Sequence, residues 1–460
     1  MKQEKIDKLF DELPVVMRNA SKSFKPNKSL IVKENQELVI ETTGDEFDQI
    51  NLKGNIYLNL WPKPRFLFKI ETSNSLFQKY HLEGKPLTIK KDNLSYKCHI
   101  TKITNDNFGP NQITFKNSSN IVQHPKVKEI SYATFYLLNF PFCLGQAIRN
   151  SQKKRSSYKG RILINDGEWN ITLDKLEGYK SLQNEMSESD GYLITYSGKI
   201  EKTNNKSFTS DELLVRLNKF YWLLSFVRGA LTAPVLIDGF DKNKKVIWQD
   251  RSLRSVGRWS LTQRNNWFSP QHVNEIFELL SPGWSELFEH ELWKNEIHKI
   301  LYWYTYAGRG VAGAGTDGSV ILAMSALELL AFNYLVQEKG LRTKEKFERK
   351  SLSNNIFKVL EDLEIPFNLP EELKEFKAYS KNKSWQTGPK AISELRNEIV
   401  HPARESSPSS TVCFEAQQLS LWYVEMIILR MCGYDGIYSN RLKRMGWVGD
   451  VESVPWKKMK

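Results

Sequence analysis

The sequence predicts a multidomain α+β protein: a β-rich antiparallel half (sandwich- or barrel-like) over residues 1–265 and an all-α bundle over residues 270–460. Three observations predict it. Short β-branched and aromatic runs, broken by Gly, Asn, Asp and Pro, crowd the first half; helical periodicity governs the second; and the composition shifts between Asn265 and Pro270. A chain of 460 residues also has the length for two to three domains and a sizeable core.

In order, the strand candidates are Ser29 to Val32, Glu37 to Glu41, Asn55 to Trp61 and, after the breaker Pro62-Lys63-Pro64, Phe66 to Ile70. Leu87 to Lys90, Tyr96 to Ile103, Ile130 to Phe140, Ile162 to Ile164, Trp169 to Leu173 and Tyr192 to Tyr196 follow. Such segments fit the pleated, half-buried surface of an antiparallel sheet. One helix is embedded among them. Thr209-Ser210-Asp211-Glu212 has capping-box spacing, and Leu213, Leu217, Phe220, Leu224 and Val227 recur at helical intervals before Gly229. A hairpin around Asp241-Lys242-Asn243 closes this half. Beyond it, the periodicity predicts helices over Gln271 to Leu280, Glu286 to Ala307, Ser319 to Gln337, Thr343 to Leu363, Glu371 to Tyr379, Pro389 to Val400 and Ser409 to Met431. Seven helical patterns with short connections describe a bundle.

Net charge is +13 and the pI about 9.2. That bias favours acidic partners such as nucleic acid or anionic membrane, although abundant lysine also serves plain solubility. The start, Met1-Lys2-Gln3-Glu4-Lys5, lacks the apolar stretch of a signal peptide. No run reads as a membrane span; the best stretch, Val320 to Val336, is interrupted by Ser325, Glu328 and Asn333. Cys98, Cys143, Cys413 and Cys432 form no C-x-x-C pair, which argues against a disulfide framework or a zinc finger and suits a reducing cytoplasm. The expectation is a cytoplasmic protein with no cofactor and no metal.

Three further motifs have bland readings. Gly308-Arg309-Gly310-Val311-Ala312-Gly313 matches G-x-G-x-x-G but follows a helix, where a dinucleotide site needs a strand; it reads as a linker. Lys153-Lys154-Arg155 with Tyr158, Lys159 and Arg161 reads as a solvated basic loop before a phosphate-binding one. In the tail, Arg441, Lys443, Arg444, Lys457 and Lys458 with Trp447 and Trp456 could stack bases and hold a backbone, or the tryptophans could pin the tail to the core.

The informative segment is Ala391 to Pro402. Ile392, Leu395 and Ile399 make one apolar stripe. Asn397 and His401, four residues apart, stack on another side with Arg396 beside them. Pro402 disfavours helical geometry at His401, so the helix ends there with the imidazole at its terminus. Such a trio can cleave RNA. Histidine is the residue type that titrates near neutral pH and can take the proton from a ribose 2′-hydroxyl. Arginine's fork matches phosphate oxygens and stabilises charge building on phosphorus, while asparagine orients the histidine or donates to the phosphate. By spacing alone, a helix C-terminus with a histidine near the dipole's negative end explains the same residues.

Arg396-Asn397-x-x-x-His401, late in an all-α region and followed by one more long helix, resembles the R-[polar]-x-x-x-H signature of the HEPN superfamily. Upstream, Ser325-Ala326-Leu327-Glu328-Leu329-Leu330 looks like the A-L-E-x-L segment common in its second helix. The whole layout is similar to the ApeA-type proteins of bacterial abortive infection, a defence against phage. The HEPN likeness covers the last third to two-fifths of the chain. It implies metal-independent RNA cleavage, tRNA being one candidate substrate, by a homodimer whose two motifs share a cleft. It further implies a toxin or effector role, with the β-rich half sensing a phage-derived trigger. Carried over, Arg396 and His401 are the catalytic pair and Asn397 the polar helper; Glu328 either hydrogen-bonds the pair or caps helix packing. Two other readings compete: a non-catalytic RNA-binding scaffold on the same fold, and a small-molecule binder working through the β-rich half.

Overall fold

In strand Arg65–Thr72 every second side chain, Phe66, Phe68 and Ile70, is fully buried. That alternation is what a strand with one wet and one dry face requires, and it recurs in five neighbours. The structure is a computed structural model that describes residues 12–42, 49–72, 86–104, 111–150, 156–259, 266–309, 315–401, 408–443 and 450–457. Strands β1 (Leu30–Thr42), β2 (Ile50–Asn59), β3 (Arg65–Thr72), β4 (Pro86–Lys91), β5 (Leu94–Thr104) and β6 (Asn111–Asn117) close into an antiparallel barrel in the order β1-β2-β3-β6-β5-β4. The two segments predicted over Ser29–Glu41 are one strand. Its polar middle, Lys33 to Gln36, sits at two register shifts, with Asn35 at a φ of 46°, which hides the alternation from the sequence.

A second, seven-stranded antiparallel sheet follows, in the order β13-β12-β7-β11-β10-β9-β8. Its strands are β7 (Tyr132–Leu138), β8 (Gln146–Arg149), β9 (Ser157–Asn165), β10 (Trp169–Lys175), β11 (Ile194–Lys202), β12 (Pro234–Phe240) and β13 (Val246–Asp250). The expected hairpin at Asp241 joins the last two. Both faces of this sheet are covered. Along β7, Ala133, Phe135 and Leu137 enter the core shared with the helices, while Tyr136 and Leu138 enter the core of the barrel. The β-rich half is thus two units, and its sheet is the wall between barrel and bundle.

Ten helices are described: α1 (Tyr179–Ser189), α2 (Ser210–Arg228), α3 (Val273–Glu289), α4 (Trp293–Ala307), α5 (Gly315–Phe332, prolonged by a π turn over Asn333–Glu338), α6 (Lys344–Arg349), α7 (Leu352–Asp362), α8 (Lys374–Asn382), α9 (Gly388–Val400) and α10 (Ser410–Met431). Helix α2 begins on the expected capping box, Thr209 accepting from the Glu212 amide and Glu212 from the Thr209 amide. Helix α1 was not expected: only Met186 of it is buried, too little to print a period.

Helix α3 runs straight through Pro282, where the sequence predicts a break. Ile276, Phe277, Leu280, Trp284, Leu287 and Phe288 form one buried stripe across the proline, and that burial outweighs the roughly 3 kcal/mol a helical proline costs. The break falls instead at His290–Leu292. Conversely, the single helix predicted over Thr343–Leu363 is two, because Ser351 caps a fresh start by accepting from the Asn354 amide.

The expected domain cut at residues 265–270 crosses one continuous core. Phe226 of α2 lies 5.1 Å from the Trp267 ring, 5.4 Å from Trp284 and 5.5 Å from Tyr304. Asn266 donates to the Val227 carbonyl at 2.7 Å. By length and composition the stretch Gly315–Glu338 passes as a membrane span, contrary to the reading of its polar interruptions; 61% of its apolar window is buried inside the fold, the setting of a core helix.

Candidate active site

Helix α9 starts at Thr387, whose hydroxyl accepts from the Lys390 amide, with Pro389 in the first turn. Gly388 has no room for a Cβ, which would overlap the Tyr423 hydroxyl of α10. Ala391, Ile392 and Leu395 are buried and Ile399 half-buried, facing α5, α7 and α10, as the apolar stripe predicts.

The helix ends at Val400. His401 is its C-cap, in extended backbone geometry (φ −107°, ψ 104°), and its amide donates to the Asn397 carbonyl at 3.0 Å. The imidazole is exposed, and Arg396 and Asn397 are half-buried on the turn below. The Arg396 guanidinium donates to Asn397 Oδ1 at 3.3 Å. The three motif residues therefore share the solvent end of one helix. Pro402 lies outside the described residues.

Glu328 is exposed on α5, and among the described residues no hydrogen bond or ion pair joins it to the motif. A buried carboxylate that ties α9 to its neighbour is Glu398, which sequence reasoning missed. It is buried, accepts from the Tyr379 hydroxyl at 2.7 Å and pairs with Lys383 at 3.2 Å, tying α9 to α8. Its position two residues after Arg396 turns it to another side of the helix. The clue was available: it sits next to the apolar positions Leu395 and Ile399.

Two large apolar side chains, at the end of α9 and the start of α10, are exposed. Val400 is 39% and Phe414, at the start of α10, 48% exposed. The rest of α10 is core: Leu419, Tyr423, Met426 and Ile427 are buried. The tail resolves as a pin. Trp456 is buried and donates to the Tyr434 carbonyl at 2.8 Å, and the buried Arg441 donates to Glu425 and to Gln418. Arg444, Trp447 and Lys458 lie outside the described residues, as do Lys153-Lys154-Arg155 and Gly310 to Gly313. Of the basic patch, Arg161 is committed to the buried Asp174 at 2.7 Å, and Gly308 is the C-cap of α4.

One surface feature was also unread. The outward side of α4 carries His298, Lys299, Tyr302, Trp303 and Tyr306, with Arg309 4.2 Å over the Tyr306 ring and Tyr302 4.4 Å from it. Tyr302 is 45% exposed.

Residues 125–262 match the family model of the YopA central domain, and residues 290–453 that of the YopA C-terminal domain. The first match covers the seven-stranded sheet with its two helices; the barrel precedes it. The chain is similar to the SPbeta prophage-derived uncharacterized protein YopA of Bacillus subtilis (strain 168), 28% identical over 430 residues, or 91% of this chain and 93% of that protein. No solved structure matches.

Proposed function

We propose that this chain is a metal-independent endoribonuclease of HEPN type, acting in the cytoplasm as an effector in the conflict between bacteria and phage. The observation that carries the reading is the convergence of Arg396, Asn397 and His401 at the solvent end of α9. His401 takes the proton of a ribose 2′-hydroxyl; the oxygen attacks the adjacent phosphorus while Arg396 compensates the charge on the non-bridging oxygens. The 5′-oxygen leaves with a proton, giving 2′,3′-cyclic phosphate and 5′-hydroxyl ends. Neither Arg396 nor Asn397 can donate that proton, and Glu398 is engaged inward. A second His401 across a two-fold axis supplies it, because an isologous contact brings the same residue of both chains to the axis. Val400, next to His401 in the chain, is exposed apolar surface that such a contact would cover. The resemblance to a prophage-derived protein suits a role in phage biology.

The outward side of α4 favours a second reading, an RNA-binding scaffold without cleavage, since aromatic rings beside Lys299 and Arg309 can stack bases and hold a backbone. Sequencing RNA ends from cells expressing wild type or His401→Ala separates the two. The nuclease reading expects new cyclic-phosphate ends only with wild type, in the presence of EDTA as well as without it; the scaffold reading expects none from either. Mixing Arg396→Ala chain into wild type should depress activity more than dilution does, and a fully active monomer by light scattering would end the shared-cleft mechanism.

A further inference from the structure

At the seam between barrel and sheet lies a cleft of about 650 Å³, well within the ~300–1,000 Å³ of small-molecule sites. Its floor is Tyr136 of β7, only 7% exposed, whose buried hydroxyl has no hydrogen-bond partner. A hydroxyl left so costs free energy unless something else completes it. Beside it Leu236 of β12 holds a φ of 54°, at a register shift between Val235 and Asp238. A bulky residue in the left-handed region is strained backbone of the kind that gathers at ligand sites.

The walls divide by chemistry. Phe24, whose ring stands edge-on 5.2 Å from that of Tyr136, makes an apolar slot with Leu30 and Leu60. Lys22, Lys25 and Lys28 rim the opening, all exposed and, among the described residues, in no ion pair. Arg251 adds no free charge, being bound to Asp238 at 2.6 Å and to the Ile237 carbonyl at 2.7 Å. Apolar slot, unsatisfied phenol and cationic rim ask for one kind of molecule, a flat ring with a polar edge joined to an anion.

We propose that this cleft binds a nucleoside monophosphate, the base in the slot and bonded to the Tyr136 hydroxyl, the phosphate on Lys25 and Lys28. The ligand would touch β1, β7 and β12 together and so clamp barrel to sheet. The site lies on the opposite face of the sheet from the helices that carry Arg396, and stands independently of the nuclease reading.

The test is calorimetric titration of the full chain with AMP, CMP, GMP and UMP, alongside inorganic phosphate and the free nucleosides. At least one monophosphate should bind about tenfold or more tighter than either of its parts. Lys25→Ala/Lys28→Ala should weaken it about tenfold, and Tyr136→Phe, which keeps the ring and its contact with Phe24, about fivefold. His401→Ala should bind as wild type does. The proposal fails if no monophosphate binds at millimolar concentration, if both cleft variants bind unchanged, or if His401→Ala abolishes binding, which would place the ligand at α9 instead.

Discussion

Two arginines of the helical bundle show how differently one side chain can be used. Arg441 is buried, and its guanidinium is consumed: Nε reaches Glu425 at 2.8 Å, a second nitrogen reaches the same carboxylate at 2.5 Å, and a third meets Gln418 at 3.1 Å. Tyr304 completes the carboxylate at 2.6 Å. Arg396 is half-buried and makes, among the described residues, one long bond to its own neighbour. Breaking a buried ion pair strands the remaining charge and is strongly destabilising; a guanidinium with little of its fork engaged keeps the planar geometry that matches phosphate oxygens. The first arginine is architecture; the second is free for the phosphate-binding role proposed for it.

The largest test of that contrast is kinetic. His401→Ala and Arg396→Ala should each lower RNA cleavage by about 10²–10⁴-fold, with melting temperatures near wild type by calorimetry. A nuclease that survives either change makes both arginines structural. Next comes Arg441→Ala, which strands a buried Glu425 and should cost about 3–5 kcal/mol in urea unfolding. If it costs less than 1 kcal/mol, on the order of a surface pair, the pairing does not matter.

A second buried cation, Lys175, sharpens the comparison because it has no carboxylate. Lys175 donates to the Cys143 carbonyl at 2.9 Å and sits 3.8 Å over the Tyr179 ring, and burial pushes its pKa down to about 8 from an ordinary 10.5. Between those values the unfolded chain holds more protons than the folded one, so the stability of wild type should rise with pH across that window. Lys175→Met should therefore melt higher than wild type at pH 7, with the gap narrowing steadily above pH 8. A constant gap would mean that the lysine is satisfied where it lies. The smallest effect is expected at Glu328→Ala: exposed and unattached to the motif, it should change stability by less than ~0.5 kcal/mol and cleavage by less than about twofold.

What the sequence disclosed follows from how local each signal is. The capping box at Thr209, the end of α9 at His401 and the apolar stripe through Ile392 and Leu395 are decided by residues within a turn or two of one another, and each stands where the sequence predicts it. Except at β6 and β8, which were not predicted, strand identity was legible for the same reason. Strand partnership was not: nothing near Phe135 or Tyr136 says that one faces helices and the other a barrel, because that depends on residues a hundred positions away. A strand buried on both sides simply reads as a dense apolar run. Pro282 misled because a local penalty was weighed without the distant burial that offsets it. Glu398 was overlooked because its partners, Tyr379 and Lys383, lie on another helix.

The doubly covered sheet also decides where this chain can be divided. A fragment ending at residue 265 would keep the wall and α2 but lose the later helices, baring Phe226 and the side of β9 that packs on α3 to water, and should aggregate. The barrel, by contrast, closes on its own strands: β1 pairs with β4 and every other neighbour lies between residues 30 and 117. A cut near residue 120 keeps every barrel strand whole, while baring the Tyr136 and Leu138 side chains that enter the barrel core from β7. The two pieces it yields, barrel and sheet-with-bundle, are the units a complementation experiment should try to reunite.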